Sequence, residues 1–220
     1  MIKYIKLFLL AILPSRLKIL LLNMRGHKIH PTCKIGICYL DIAHITLKEG
    51  ASINHLNVFK GLKSLEMGSY ARIGGRLNWF TASALHDRTP SFGKLTIGDG
   101  SNITSKHFFD LQQQITIGKN SLIAGFRSTF WTHGYRTTEP SNNHSITIGD
   151  HCYIGSQVIF TPGSGVGDMV FVGTGSVVTK DHTSSNKCLI AGNPAGIRKK
   201  YTGGEEFFTT NHSGFKPRKK

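Results

Sequence analysis

Along the stretch from Ile146 to Asp181 one apolar position returns every sixth residue, at Ile148, Ile154, Phe160, Val166, Val172 and Val178. The positions four residues later, Cys152, Val158, Ser164, Val170, Ser176 and His182, are mostly small, and Gly149, Gly155, Gly167 and Gly173 directly follow apolar residues. A period of six fits neither a helix nor an ordinary strand. One large inward residue, one small inward residue and a glycine at a bend predict an all-β solenoid, a parallel β-helix in which three such units close one triangular coil. A single coil cannot bury its apolar edge, so coils must stack, each ~4.8 Å above the last.

The first apolar residue of each coil is predicted at Ile29, Leu47, Met67, Ile97, Ile117, Ile148 and Val166, giving about seven coils with steps of 18, 20, 30, 20, 31 and 18 residues. Steps of 20 read as small bulges on an 18-residue coil. The steps of 30 and 31 contain inserted loops, near 81–92 (TASALHDRTPSF) and 135–145 (YRTTEPSNNHS), which lack the repeat and are rich in turn-forming residues. Both follow the third side of their coil, two rungs apart, so they are predicted to leave one edge about 10 Å apart and to wall a cleft. The repeat fails after Val178, and Ala191-Gly192-Asn193-Pro194-Ala195 marks the exit. The predicted organisation is helices over 1–28, the solenoid over 29–183, and an extension with a solvated basic tail, ending KPRKK, over 184–220.

Residues 1–25 hold two apolar runs broken at Pro14, Ser15, Arg16 and Lys18. Neither reaches the ~20 residues of a membrane span, and no small-x-small cleavage pattern follows LFLLAIL as a signal peptide would require. Two short helices are predicted. Their apolar faces pack on the end of the solenoid or on a neighbouring subunit; a second reading lays them on a membrane surface as a peripheral contact.

The 220 residues carry a formal charge of +15, which favours anionic partners. No nucleic-acid recognition motif accompanies that charge. Cys33, Cys38, Cys152 and Cys188 show no metal-like spacing and read as buried thiols of a reducing compartment.

The segments IGDHCYIG, VGTGSVVTKD and AGNPA resemble the hexapeptide-repeat acyltransferases, especially galactoside and maltose acetyltransferases and the O-acetyltransferases of surface-polysaccharide biosynthesis. The resemblance is strong over 93–200. It implies a left-handed coil, a homotrimer, and acetyl-CoA bound between neighbouring subunits; the left hand opposes the usual crossover rule and rests on the resemblance. The implied protein is cytoplasmic, at the inner face of the membrane if the helices touch lipid, with no metal and no nucleic acid involved.

His133, in FWTHGYR at the mouth of the second loop, matches the family's catalytic histidine. Moving an acetyl group from a thioester to a sugar hydroxyl needs a base, and a neutral imidazole titrates near working pH. Asp110, about one bulged coil earlier, is the candidate for orienting that ring. His107 is its rival neighbour, either touching the acceptor or capped within the preceding face. Trp131 and His86 are further candidates on the acceptor side. For the coenzyme, Ser156 and Thr174 match positions that meet the pantetheine arm, and Tyr153 stands where the family has tryptophan. Thr179, Lys180, Arg198 and Lys199 match the region that receives the adenosine phosphates.

The implied activity is acetyl-CoA-dependent O-acetylation of a sugar in polysaccharide biosynthesis. Alternatives are N-acetylation of a nucleotide-linked amino sugar, acetylation of an antibiotic, a zinc lyase drawing on His107, His133, His144 and His151, and a non-catalytic trimeric scaffold.

Overall fold

The computed structural model describes residues 2–83, 90–134 and 143–209. Two helices, α1 (Ile2–Ile12) and α2 (Ser15–Met24), precede a three-sided coil of short parallel strands, and α3 (Glu206–Thr209) follows it. The predicted register holds rung by rung. Ile29 pairs with Leu47, Leu47 with Met67, Met67 with Ile97, Ile97 with Ile117, Ile117 with Ile148, and Ile148 with Val166.

The second face stacks Ile35, Ile53, Ile73, Ile103, Ile123, Ile154, Val172 and Ile190 in the same way, within a 9-stranded sheet. The third face runs through Leu40, Phe59, Phe80, Phe109, Phe130, Phe160 and Val178. It joins the first in one 13-stranded sheet, because Tyr39–Leu47 and Val58–Met67 pass from face to face as unbroken strands.

The inward residues make the core, and the third face fills it with rings. Phe59, Phe80, Phe109, Phe130 and Phe160 stack at centroid separations of 4.6, 4.7, 4.4 and 5.1 Å, all without solvent exposure. Two residues before each ring lies the small inward position. There Asn57, Asn78, His107 and Ser128 form a buried polar ladder: Asn78 Nδ2 donates to Asn57 Oδ1, the His107 N–H to Asn78 Oδ1, and the Ser128 N–H to His107 Nδ1.

The repeated Ile-Gly-Asp has a local cause at the corner between the first and second faces. Asp99 Oδ1 accepts from the Ser69 N–H at 2.7 Å, Asp150 Oδ1 from Lys119 at 2.6 Å and Asp168 Oδ1 from Asp150 at 2.8 Å. Each carboxylate thus satisfies a corner amide one rung away. A Cβ on Gly118 would stand 2.3 Å from Asp150 Oδ1, so the residue beneath the carboxylate must be glycine.

The coil extends past the predicted limit of 183. His182 still pairs with Val166, two residues early, and Cys188–Gly192 pairs in parallel with the second face before Ala195–Lys200 folds back antiparallel. The four cysteines are all buried and free.

Candidate active site

Both long insertions leave the corner between the third and first faces. They lie between Trp79–Thr81 and Lys94–Ile97 and between Thr129–Phe130 and Ile146–Ile148, with Phe108–Asp110 as the rung in between. His86, half of the first loop and most of the second fall outside the described residues.

At that corner His133 Nδ1 stands 2.6 Å from Oδ2 of Asp110, one rung away. The carboxylate is 2% exposed and held on every side. The Thr132 N–H donates to Oδ2 at 3.0 Å, Gln112 Nε2 donates to Oδ1 at 3.3 Å, and Thr132 Oγ1 donates to the Asp110 carbonyl at 2.7 Å. Gln112 Oε1 accepts from the Ser83 N–H, the Gln113 N–H donates to Thr132 Oγ1, and Gln113 Oε1 accepts from the His144 N–H at 2.8 Å. These bonds tie the described margins of both loops to the carboxylate. A carboxylate can only accept, so a neutral His133 ring bonded to it donates from Nδ1 and keeps its lone pair on Nε2. Trp131, 38% exposed, meets the His133 ring edge-on at 6.3 Å and packs on Phe108.

His107 does not join this group, which corrects its candidacy for the acceptor side. It is 1% exposed within the polar ladder, Nδ1 accepting from the Ser128 N–H and Nε2 bonded to Thr104 Oγ1. Thr104 Oγ1 lies 2.8 Å from the Ile123 carbonyl and 2.7 Å from that of Gly125, so its hydroxyl proton goes to a carbonyl and it receives the His107 Nε2–H. Burial lowers its pKa to about 4 and keeps the ring neutral.

Of the residues matched to the coenzyme, Ser156, Thr174, Thr179 and Lys180 fall at the edges of the third face, and Tyr153, Arg198 and Lys199 on strands of the second-face sheet. Ser156 and Thr174 occupy successive rungs at the entry edge of the third face, where the Gly175 N–H donates to the Ser156 carbonyl. Arg198, on the returning strand, donates from Nε to the Ala191 carbonyl at 2.9 Å. Lys199 places its ammonium over Tyr201, 5.2 Å from the ring centre. Thr179 and Lys180 lie at the exit edge, the one that carries His133, two rungs further along. Tyr153 faces outward on the second face and packs on Phe171 and Phe207. Beside it a cleft of about 310 Å³ is lined by Gly155, Gly173, Thr174, Leu189 and Tyr201.

Sequence reasoning missed Gln112, Gln113 and Thr132, and the aromatic group of Phe171, Tyr201, Phe207 and Phe208 around α3. The QQQ run at an expected bulge was the available signal for the first set. Phe171, between inward Val170 and Val172 and in register with Tyr153, was the signal for the second. Of the four histidines considered for zinc, His107 is spent inside the ladder and His133 on Asp110; among the described residues no three His, Cys, Asp or Glu side chains cluster as metal ligands.

The coil and its braced corner histidine define a class, the six-residue-repeat solenoid with a candidate general base at an inserted-loop edge. No family model matches the chain. The galactoside O-acetyltransferase of Escherichia coli (strain K12) is 40% identical over 72 residues, 30% of this chain and 36% of that protein. A second protein of the same strain, named for O-acetyl transfer in lipopolysaccharide biosynthesis, is 28% identical over 65% of this chain and 81% of its own. A solved hexapeptide-repeat-containing acetyltransferase from Vibrio cholerae is 29% identical over 48% of this chain and 62% of its own, with a TM-score of 0.41. The match thus spans about a third of the galactoside enzyme's length. In its sequence the chain is similar to these acetyltransferases, and its repeat and three-sided coil are those the hexapeptide-repeat resemblance implied.

Proposed function

We propose that this protein transfers the acetyl group of acetyl-CoA to a sugar hydroxyl in surface-polysaccharide biosynthesis, with His133 as general base and Asp110 as the residue that positions it. The observation that carries the reading is the 2.6 Å contact between His133 Nδ1 and the buried Asp110 carboxylate. It fixes the tautomer and stabilises the imidazolium formed when the ring takes a proton.

His133 Nε2 takes the acceptor hydroxyl proton as the sugar oxygen attacks the thioester carbonyl. The bond from that carbon to sulfur breaks, and His133 returns the proton to the departing thiolate. Base catalysis of this kind contributes about 10²- to 10⁴-fold, and positioning by the loops supplies more. Trp131 offers an aromatic surface beside the ring, suited to stacking on a pyranose.

The donor residues support an assembly as well as a reaction. Ser156 and Thr174 lie at one edge of the third face, and His133, Thr179 and Lys180 at the other. A homotrimer with sites between subunits would set the first edge of one copy against the second edge of its neighbour, lining the acetyl-CoA from both sides. The four buried, unpaired thiols accord with a cytoplasmic protein.

The sugar acceptor is favoured over a nucleotide-linked amine or an antibiotic by the relatives named for O-acetyl transfer to galactosides and in lipopolysaccharide biosynthesis. The test is mass spectrometry of the products when acetyl-CoA is supplied with matched neutral sugars, amino sugars and nucleotide sugars. Acetyl esters, labile to mild base, support O-transfer. Base-stable amides confined to the amino sugars would replace it with N-transfer.

A further inference from the structure

The helices α1 and α2 close one end of the coil with only part of their surface. Their inner sides are fixed in place. Leu10, Ala11, Ile19 and Leu22 are buried, as is Lys18, whose Nζ donates to the Ala11 carbonyl at 2.9 Å and to the Gly36 carbonyl. Ser15 Oγ accepts from the Ile35 N–H, and Lys3 pairs with Asp41 at 2.8 Å. The outer sides are apolar. Tyr4, Ile5, Phe8, Leu9 and Ile12, spaced i, i+1, i+4, i+5 and i+8, form one continuous stripe on α1, each between 52% and 65% exposed. Leu17, Leu20 and Met24 add a second stripe on α2, at 43%, 57% and 76%. Single exposed apolar side chains are ordinary, but two adjoining stripes make a patch that marks an interaction surface.

Charge decides what covers it. No Asp or Glu precedes Asp41, whereas exposed Lys6, Arg16, Arg25, Lys28 and Lys34 do; Lys18 is buried and Lys3 is paired with Asp41. A second copy docked through the same stripes would press like charges together. An anionic lipid surface offers hydrocarbon and negative charge in one plane. The cleft between the helices repeats that chemistry on a smaller scale: about 370 Å³, lined by Leu9, Leu10, Ile12, Leu13 and Leu21, with Lys6 and Arg25 beside them. At 11 and 10 residues neither helix is long enough to cross a bilayer, so the mode open to them is to lie in its surface.

We infer that α1 and α2 form an interfacial anchor that seats this end of the coil on a membrane bearing anionic lipid. Cations among the headgroups and aromatic and aliphatic side chains at the acyl boundary then act together. Four rungs separate Leu40 from Phe130 on the third face, so the His133 corner stands about 20 Å along the coil axis from the anchored end by the rung spacing. In the reading of the site proposed above, which the anchor does not require, that height suits a sugar carried on a lipid.

The test is flotation of the full chain with phosphatidylcholine vesicles and with vesicles that also contain phosphatidylglycerol. It compares wild type, Tyr4→Ser/Phe8→Ser/Leu9→Ser/Leu20→Ser, and Lys6→Gln/Arg25→Gln. All these side chains except Lys6 and Arg25 belong to the exposed stripes, and circular dichroism confirms that each variant folds. Wild type is expected to float with the anionic vesicles and to be released by salt. The apolar variant should stay unbound, and the charge variant should lose roughly fivefold in partitioning for each cation removed. The anchor is overturned if wild type ignores both vesicles or if all three proteins bind alike. It is equally overturned if the apolar variant still floats but changes its oligomeric state, which would make the stripes a contact between copies. Acetyl transfer to a soluble sugar in a chain that fails to float would remove the anchor and leave the proposed reaction standing.

Discussion

Asp110 and His133 lie one rung apart on the coil, with Asp110 Oδ2 2.6 Å from His133 Nδ1 and the carboxylate sealed from solvent. An amide at position 110 can still accept from Thr132, but it removes the charge that stabilises a protonated ring. Its Nδ2 would also meet Gln112 Nε2, a donor already oriented by the Ser83 N–H bonded to Oε1. Asp110→Asn is therefore expected to lower kcat by about 10²-fold or more while KM for acetyl-CoA changes little. Steady-state kinetics checks this, and an unchanged kcat would remove Asp110 from the mechanism.

Thr132 joins the carboxylate to the backbone of its own rung. It is fully buried, donates to the Asp110 carbonyl at 2.7 Å and accepts from the Gln113 N–H at 2.9 Å. Thr132→Val keeps the shape and leaves both partners unsatisfied, an expected loss of about 1–3 kcal/mol in urea unfolding. Turnover should fall with it, since the same bonds hold Asp110.

The phenylalanine stack is a separate source of stability. Phe109 is sandwiched between Phe80 at 4.7 Å and Phe130 at 4.4 Å, with no exposure. Phe109→Ala should cost about 3–5 kcal/mol, read from chemical denaturation. A loss below 1 kcal/mol would mean that the rings above and below close the gap.

The buried His107 makes stability depend on pH. Its folded pKa is about 4, depressed by burial from the ordinary value of 6.5, so the unfolded chain takes up a proton that the folded chain refuses. The stabilisation is complete above pH 6.5 and is lost as pH falls toward 4, up to roughly 3 kcal/mol. His27, lowered by burial as well, adds in the same direction. His107→Asn, which can keep the bond from Ser128, should flatten the slope of unfolding free energy between those pH values without abolishing it.

Much of this architecture is legible in the sequence, because a solenoid interior repeats one environment. Ile29 through Val166 pair as their spacing required, since a single apolar side chain per side fits the narrow core and a slip would turn it outward. Asp110 was reachable by counting one coil back from His133. Gln112 and Gln113 were not, because a bulge has no period; the extra residues turn inward and brace the site. The burial of His107 was legible in principle, since it occupies the small inward position two residues before Phe109, where Asn57, Asn78 and Ser128 stand on the other rungs. The coil beyond 183 was hidden by a shortened turn that brings His182 into register two residues early. The packing of α3 against Phe171 came from tertiary contact between aromatic residues far apart in the chain.

The most direct test of the central claim is thiol release from acetyl-CoA by wild type and His133→Ala, with and without a panel of sugar acceptors. The account predicts release that depends on an acceptor, yields one thiol per acetylated sugar, and falls by about 10²-fold or more in the variant while calorimetry shows acetyl-CoA still bound. Equal rates in the two proteins, or no acetyl-CoA binding by wild type, would contradict it.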